Sequence, residues 1–151
     1  MTSKDIRYFN VAKSIALTSE YKRIKIGCIV VLKKHIISVG CNSYKTHTKQ
    51  RYYNQFRWDI KSLDTPHSLH AEIQALININ KGIDLGDAVL YNYREHADGT
   101  LANSRPCESC MRMIKDMNIK KIYYTTEDGE NKFIRKNMDI EEENFKKEKN
   151  I

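Results

Sequence analysis

The chain is poor in the residues that break or staple structure. Two prolines, six glycines and one tryptophan among 151 residues exclude collagen-like and Pro/Gly-rich low-complexity architectures. No stretch reaches the roughly 20 apolar residues that span a bilayer. The opening MTSKDIRYFN puts charges where a secretory leader needs an apolar run, so a soluble, cytoplasmic protein with no membrane partner is expected. Cys28, Cys41, Cys107 and Cys110 are too few for a disulfide scaffold, and in a cytosol-like chain the Cys107-x-x-Cys110 pair points to metal binding or redox cycling. Acidic residues are absent from residues 21 to 58. That segment carries nine basic residues (Lys22, Arg23, Lys25, Lys33, Lys34, Lys45, Lys49, Arg51 and Arg57), leaving the rest of the chain at −2 once they are taken from the formal +7. A field so polarised attracts a phosphate-bearing partner, nucleotide or nucleic acid, without choosing between them.

What is present suffices for one core. With 40% hydrophobic and 30% charged residues, residues 1–151 read as a single domain, with 1–126 as its core and 127–151 as a terminal hairpin and charged tail. Ile6, Phe9, Ala12 and Ile15 or Ala16 recur at helical spacing, which predicts a helix over 3–18 with Ser3 as its cap. Ile26 to Leu32 and Ile36 to Val39 are β-branched runs separated by Lys33, Lys34 and His35, a hairpin. Residues 41–66 read as a long polar and aromatic loop with room for a short helix, and a loop of that length implies function. A helix over 68–81 carries Leu69, Ile73, Leu76 and Ile77 ahead of Gly82. A strand over 88–93, a polar loop from Arg94 to Arg105, a helix opened by Pro106 and ending near Asn118, and a strand over 120–126 follow. Asp128-Gly129 then turns the chain into an edge strand, and the charged tail is a surface helix or frays. This order predicts an α/β fold, a three-layer α/β/α sandwich around a mixed sheet of about five strands.

Two short motifs carry the chemistry: His70-Ala71-Glu72 at one helix start and Pro106-Cys107-Glu108-Ser109-Cys110 at another. Cysteines three apart on a helix share a side, and a helix N-terminus lowers thiol pKa, so Cys107 and Cys110 can offer two thiolates to one ion. His70 supplies a third ligand. Three protein ligands leave the fourth tetrahedral position of Zn²⁺ for water, the mark of a catalytic rather than a closed structural site. Glu72, two residues past the histidine, sits close enough to move protons without binding the metal. Taken alone, CxxC is as compatible with a structural zinc knuckle or a redox pair. A thioredoxin-like reading would place it after the first strand, not late in the chain.

At these residues the chain resembles the cytidine and deoxycytidylate deaminase superfamily, which also holds tRNA adenosine deaminases and polynucleotide cytidine deaminases. The resemblance runs over roughly residues 5–126, and IGCIVV followed by Gly40-Cys41-Asn42 is similar to the family's first hairpin. It implies Zn²⁺ as cofactor, self-association, a sugar contact from Asn42 and a base contact from the main chain at Ala71. The chain departs from the pattern in its 94–105 loop and in its apparent terminal hairpin, which would make the last two strands antiparallel, as in free-nucleoside deaminases. The function expected is conversion of dCMP to dUMP, with Lys45, Lys49 and Arg51 of the basic loop holding the phosphate. Two alternatives stand beside it. One is a polynucleotide deaminase of tRNA or single-stranded DNA, in which the loop aromatics stack bases. The other is a zinc-binding module without turnover. A second zinc site drawn from Cys28, Cys41, His47, His67 or His96 is a further expectation, set against the reading of buried cysteines as small core fillers.

Overall fold

The structure, a computed structural model, describes residues 2–57 and 68–134. Trp58, His67 and the charged tail after residue 134 lie outside the described residues. Eleven elements follow in order: α1 (Ser3–Ala16), β1 (Lys25–Leu32), β2 (His35–Cys41), β3 (Ser43–Thr46), α2 (Thr48–Asn54), β4 (Ser68–Leu69), α3 (Ala71–Ile77), β5 (Val89–Glu95), α4 (Glu108–Asp116), β6 (Lys121–Thr126) and β7 (Gly129–Ile134). Five strands form one mixed sheet in the order β2-β1-β5-β6-β7. Only β5 and β6 run parallel, joined through α4, while β6 and β7 pair antiparallel from Thr126↔Gly129 to Lys121↔Ile134. The terminal hairpin expected at Asp128-Gly129 is therefore present.

Alternation along the central strands sorts the core into two layers. Ile29, Val31, Tyr91, Tyr93 and Tyr123 face α1, where they meet Tyr8, Phe9, Ala12 and Ala16. Cys28, Val30, Leu90, Ile122 and Tyr124 face the other way, onto Ile73 and Leu76 of α3 and Met111 and Ile114 of α4. Burial on both faces is what a sheet between two helix layers requires. Two glycines set how closely the layers approach. A Cβ on Gly27 would overlap the Ala12 carbonyl oxygen of α1, and one on Gly40 would lie 2.5 Å from the Ala71 oxygen and 2.6 Å from the Ala75 nitrogen of α3.

Several boundaries differ from the sequence reading, each for a local reason. Thr2, not Ser3, caps α1: its hydroxyl accepts the Asp5 N–H at 3.2 Å while its own N–H donates to the Asp5 carboxylate at 3.1 Å. That capping box needs an acid three residues on, which Thr2 has and Ser3 lacks. The first hairpin turns on Lys33 and Lys34 alone, both left-handed at φ 49° and 68°, and Leu32 pairs directly with His35. Within residues 41–66 the chain forms β3 and α2. The helix expected over 68–81 begins only at Ala71, because Ser68 and Leu69 pair with β3 as β4, and it ends at Ile77. Strand β5 runs on into the expected 94–105 loop, which starts as a ribbon bridged at Glu95↔Leu101 and turned at Gly99, φ 87°.

Candidate metal and catalytic site

The site forms where the starts of α3 and α4 meet. His70 is the N-cap of α3 and Cys107 the N-cap of α4, both in extended backbone, with Glu72 and Cys110 in the turns that follow. The placement of His70 is anchored from α2. The Gln50 side-chain oxygen accepts the His70 N–H at 2.9 Å, and its amide nitrogen donates to the Asn54 side-chain oxygen at 2.8 Å. Gln50 is fully buried. Nothing in its sequence context marks it, since a glutamine in a basic, aromatic stretch carries no motif.

His70 Nδ1 lies 3.4 Å from Cys107 Sγ and 3.3 Å from Cys110 Sγ, and the three ligand atoms fall within 4.8 Å of one another. Zinc bonded at tetrahedral angles to one such nitrogen and one such sulfur would separate them by about 3.6 Å. The set thus fits a tetrahedral ion with adjustments of a few tenths of an ångström. Ser109, buried in the first turn of α4, places its hydroxyl 3.0 Å from Cys107 Sγ, an outer partner that orients the ligand. No second cluster of this kind occurs among the described residues. His47 Nδ1 accepts the Lys49 N–H to cap α2, His96 faces Glu127 at 3.8 Å, and Cys28 is buried in the core. The expected second zinc site does not assemble from these residues, and His67 lies outside them.

Electrostatics favour the same use. The hydrogen bond from Cys110 draws the Cys107 thiol down to about 3 against its burial, with His70 adding to the effect. Burial pushes the Cys110 thiol far up. One thiolate is thus ready, and a dication at the site would take the second, since coordination deprotonates a thiol outright. Burial opposes charge on His70, but the neighbouring Cys107 sulfur prevails and lifts its pKa. Burial likewise lifts the Glu72 carboxyl. Glu72 is only 4% exposed, and its Oε1 has no hydrogen-bond partner among the described residues.

Glu72 lines a cavity of about 250 Å³ together with Asn42, His70, Asn92, Arg94, Arg105 and Cys107. The Asn42 amide is locked by two main-chain groups, accepting from the Ile26 N–H of β1 at 3.0 Å and donating to the carbonyl of Ile24, just before β1, at 2.8 Å. Ala71 is buried, with its carbonyl oxygen toward Gly40, and is not among the residues lining the cavity. Lys45, Lys49 and Arg51 stand exposed on β3 and α2, outside the lining. The sequence reading missed Asn92, Arg94 and Arg105, although the unusual 94–105 loop was the available signal. Of the loop aromatics, Tyr53 is buried and donates to Asp116 at 3.0 Å, while Tyr52 and Tyr44 remain 55% and 60% exposed. Tyr44 stacks on Tyr21 with ring centroids 3.9 Å apart.

Residues 2–126 match the family model of the cytidine and deoxycytidylate deaminase zinc-binding region. The chain belongs to this family. Within the family it is similar to a probable deoxycytidylate deaminase of Caenorhabditis elegans, at 29% identity over 125 residues. That match takes in 80% of this chain and 56% of the nematode protein, so the chain spans little more than half of that relative's length. It is also similar to the dCMP deaminase of cyanophage S-TIM5 in apo form, at 25% identity and a TM-score of 0.59 over 95% of this chain and 94% of that one. The same phage enzyme in complex with dCMP and dUMP matches at 25% identity and a TM-score of 0.57 over 83% and 84%. A cytidine deaminase from Burkholderia pseudomallei, 15% identical with a TM-score of 0.61 over 89% and 93%, shares the fold. For this family member the His–Cys–Cys set and the family's zinc agree, and the fold is the expected three-layer sandwich. No helix among the described residues is long and apolar enough to cross a membrane.

Proposed function

We propose that this chain is a zinc-dependent hydrolase converting dCMP to dUMP, a step of pyrimidine nucleotide metabolism, with His70, Cys107 and Cys110 as metal ligands and Glu72 as proton carrier. The observation that carries this reading is the buried Glu72 Oε1, without a hydrogen-bond partner among the described residues, close to a three-ligand cluster of which His70 and Cys107 line the same cavity as Glu72. The named relatives support the choice of a deoxycytidylate substrate. Zinc, when bound, supplies a Lewis acid that brings the pKa of water near neutrality. Glu72 accepts a proton from the water that attacks C4 of cytosine and returns protons to N3 and to the departing amine. The C4–O bond forms, the C4–N bond breaks, and ammonia leaves. A carboxyl lifted by burial suits that work, because the raised pKa eases uptake of the proton that it must then return. Asn42, its amide fixed by Ile24 and Ile26, retains a second N–H for the sugar.

The exposed Lys45, Lys49 and Arg51 serve in this reading as a field that draws the anionic substrate inward. Tyr44 and Tyr52 among those cations favour one second reading, a polynucleotide track. Turnover on nucleotide, nucleoside and single-stranded substrates across a salt series separates the two. Strand binding releases several counterions and falls steeply with salt, whereas one nucleotide does not behave so. Zinc content without turnover on any of them would leave a non-catalytic zinc-binding module. We carry cytoplasmic location and self-association into this proposal. The four unpaired thiols support the first and the exposed Leu17, Ile36 and Val39 the second. Fractionation and sedimentation velocity test them.

A further inference from the structure

The insertion between β5 and α4 ends in a tightly stitched segment. The β5–β6 ladder stops at Asn92↔Tyr124, and beyond it the two parallel strands diverge. Ser104 fills the gap. Its N–H donates to the Thr125 carbonyl at 2.9 Å, its hydroxyl donates to the Asn92 carbonyl and accepts the Thr125 N–H, both at 2.7 Å, and its carbonyl takes the Asn92 amide at 2.7 Å. Thr125 Oγ1 also accepts the Arg94 N–H at 3.1 Å. Two arginines stand at the ends of the insertion, Arg94 tied by its N–H to Thr125 and Arg105 by its N–H to the Asn103 side-chain oxygen at 2.9 Å, and both line the cavity. The opening beyond the carboxyl ends of parallel strands is where α/β sheets receive ligands.

Arg94 is half-buried, and its guanidinium donates from Nη1 to a neutral group, the Asn103 carbonyl at 3.2 Å, with no carboxylate partner among the described residues. Its Nε is buried without a partner among the described residues. Glu72 is the sole carboxylate among the lining residues, and its proton-carrying role removes it as a lasting counterion. A half-buried cation left without an anion is costly unless a ligand brings one, and a guanidinium fork matches phosphate oxygens better than any other anion-binding side chain.

We infer that the 94–105 insertion builds the phosphate subsite of this enzyme, with Arg94 as the anchoring residue and Arg105 beside it, so that selection of a 5′-phosphorylated nucleotide over a nucleoside resides there and not in the exposed Lys45, Lys49 and Arg51. The inference rests on the nucleotide-deaminase reading and names the residues that give it its substrate class.

The test compares the zinc-loaded wild type with Arg94→Gln, Arg94→Lys and Arg105→Gln. Turnover is measured on dCMP, on deoxycytidine and on a short single strand holding one cytosine, alongside calorimetric binding of dUMP and deoxyuridine. Loss of a charge-assisted contact lowers the dCMP-to-deoxycytidine ratio of kcat/KM by on the order of tenfold to a hundredfold in Arg94→Gln. The loss appears in KM, with part of it restored by lysine. A ratio within twofold of wild type, or an equal loss on both substrates with zinc retained, overturns the inference while dCMP turnover by the wild type keeps the broader reading. A wild type that turns over no nucleotide defeats that reading instead, and dUMP binding then decides the subsite. A preference for dUMP over deoxyuridine that vanishes in Arg94→Gln upholds it, and an unchanged preference overturns it. Greater loss on the strand than on dCMP assigns the subsite to a phosphodiester and also overturns the inference.

Discussion

Replacing Gly40 with alanine tests how the sheet positions the chemistry. Gly40 sits on β2 opposite Cys28 of β1, directly under the first turns of α3. The added Cβ would lie 2.5 Å from the Ala71 oxygen and 2.6 Å from the Ala75 nitrogen. Both are backbone atoms, so no flexible side chain can yield, and α3 must lift by roughly 0.5–1 Å to reach ordinary contact. Overpacking of this kind destabilises by about 1–3 kcal/mol. The same lift carries Glu72 and His70 away from Cys107 and Cys110, and a misplacement of about 1 Å can lower turnover on the order of a hundredfold. Gly27→Ala is the matched control. It collides with Ala12 and Ala16 of α1, a helix on the opposite face that bears no site residue. Urea unfolding should therefore report comparable losses of stability for the two variants. Turnover per folded, zinc-loaded molecule should collapse in Gly40→Ala and hold near wild type in Gly27→Ala. Equal turnover in both would refute the claim that the β2–α3 contact sets the site geometry.

Glu72→Gln keeps the shape and removes the proton carrier, so zinc content and melting temperature should hold while turnover falls by a factor on the order of a hundred or more; near-normal turnover would remove Glu72 from its role. Asp5, buried in the first turn of α1, accepts the Tyr91 hydroxyl at 2.5 Å. Burial acts against its charge, but the hydrogen bonds from Tyr91 and Thr2 outweigh it and hold the carboxyl below its ordinary value. A depressed folded pKa gives stability that is present above the unfolded value of about 3.9 and is lost as pH falls through the folded one. Wild-type stability should therefore drop more steeply than that of Asp5→Asn as pH falls below about 4, read from urea midpoints, and parallel acid limbs would contradict the assignment. Replacing Lys45, Lys49 and Arg51 together should slow substrate association at low salt and converge on wild type at moderate salt, because exposed charges are screened. A large loss of dCMP affinity that persists at moderate salt would place them in direct contact with the phosphate.

Much of this was legible because the decisive signals are local. Two helix starts carrying His70-x-Glu72 and Cys107-x-x-Cys110, with hydrophobic alternation in β1, β5 and β6, were enough to place a zinc cluster on a mixed sheet between helices. The ribbon in 94–105 was not legible, since its order comes from Ser104 and Thr125 bonding across the gap between β5 and β6, partners 21 residues apart. Gln50 was invisible for the same reason, because its value lies in reaching the His70 backbone 20 residues away. Charge counting pointed the phosphate to Lys45, Lys49 and Arg51. Composition reports how many cations a segment holds and not which way they face, and in the folded chain those three face solvent while Arg94 and Arg105 face the cavity.

Metal-dependent turnover of dCMP tests the central claim most directly. Purified protein is assayed for dUMP and ammonia as isolated, after chelation, and after zinc is restored, with Cys110→Ser carried in parallel. About one zinc per chain is expected, with dUMP and ammonia released one to one, activity lost on chelation and recovered with zinc, and neither zinc nor activity in Cys110→Ser. Turnover that survives chelation, or a fully zinc-loaded wild type that releases no dUMP, would contradict it.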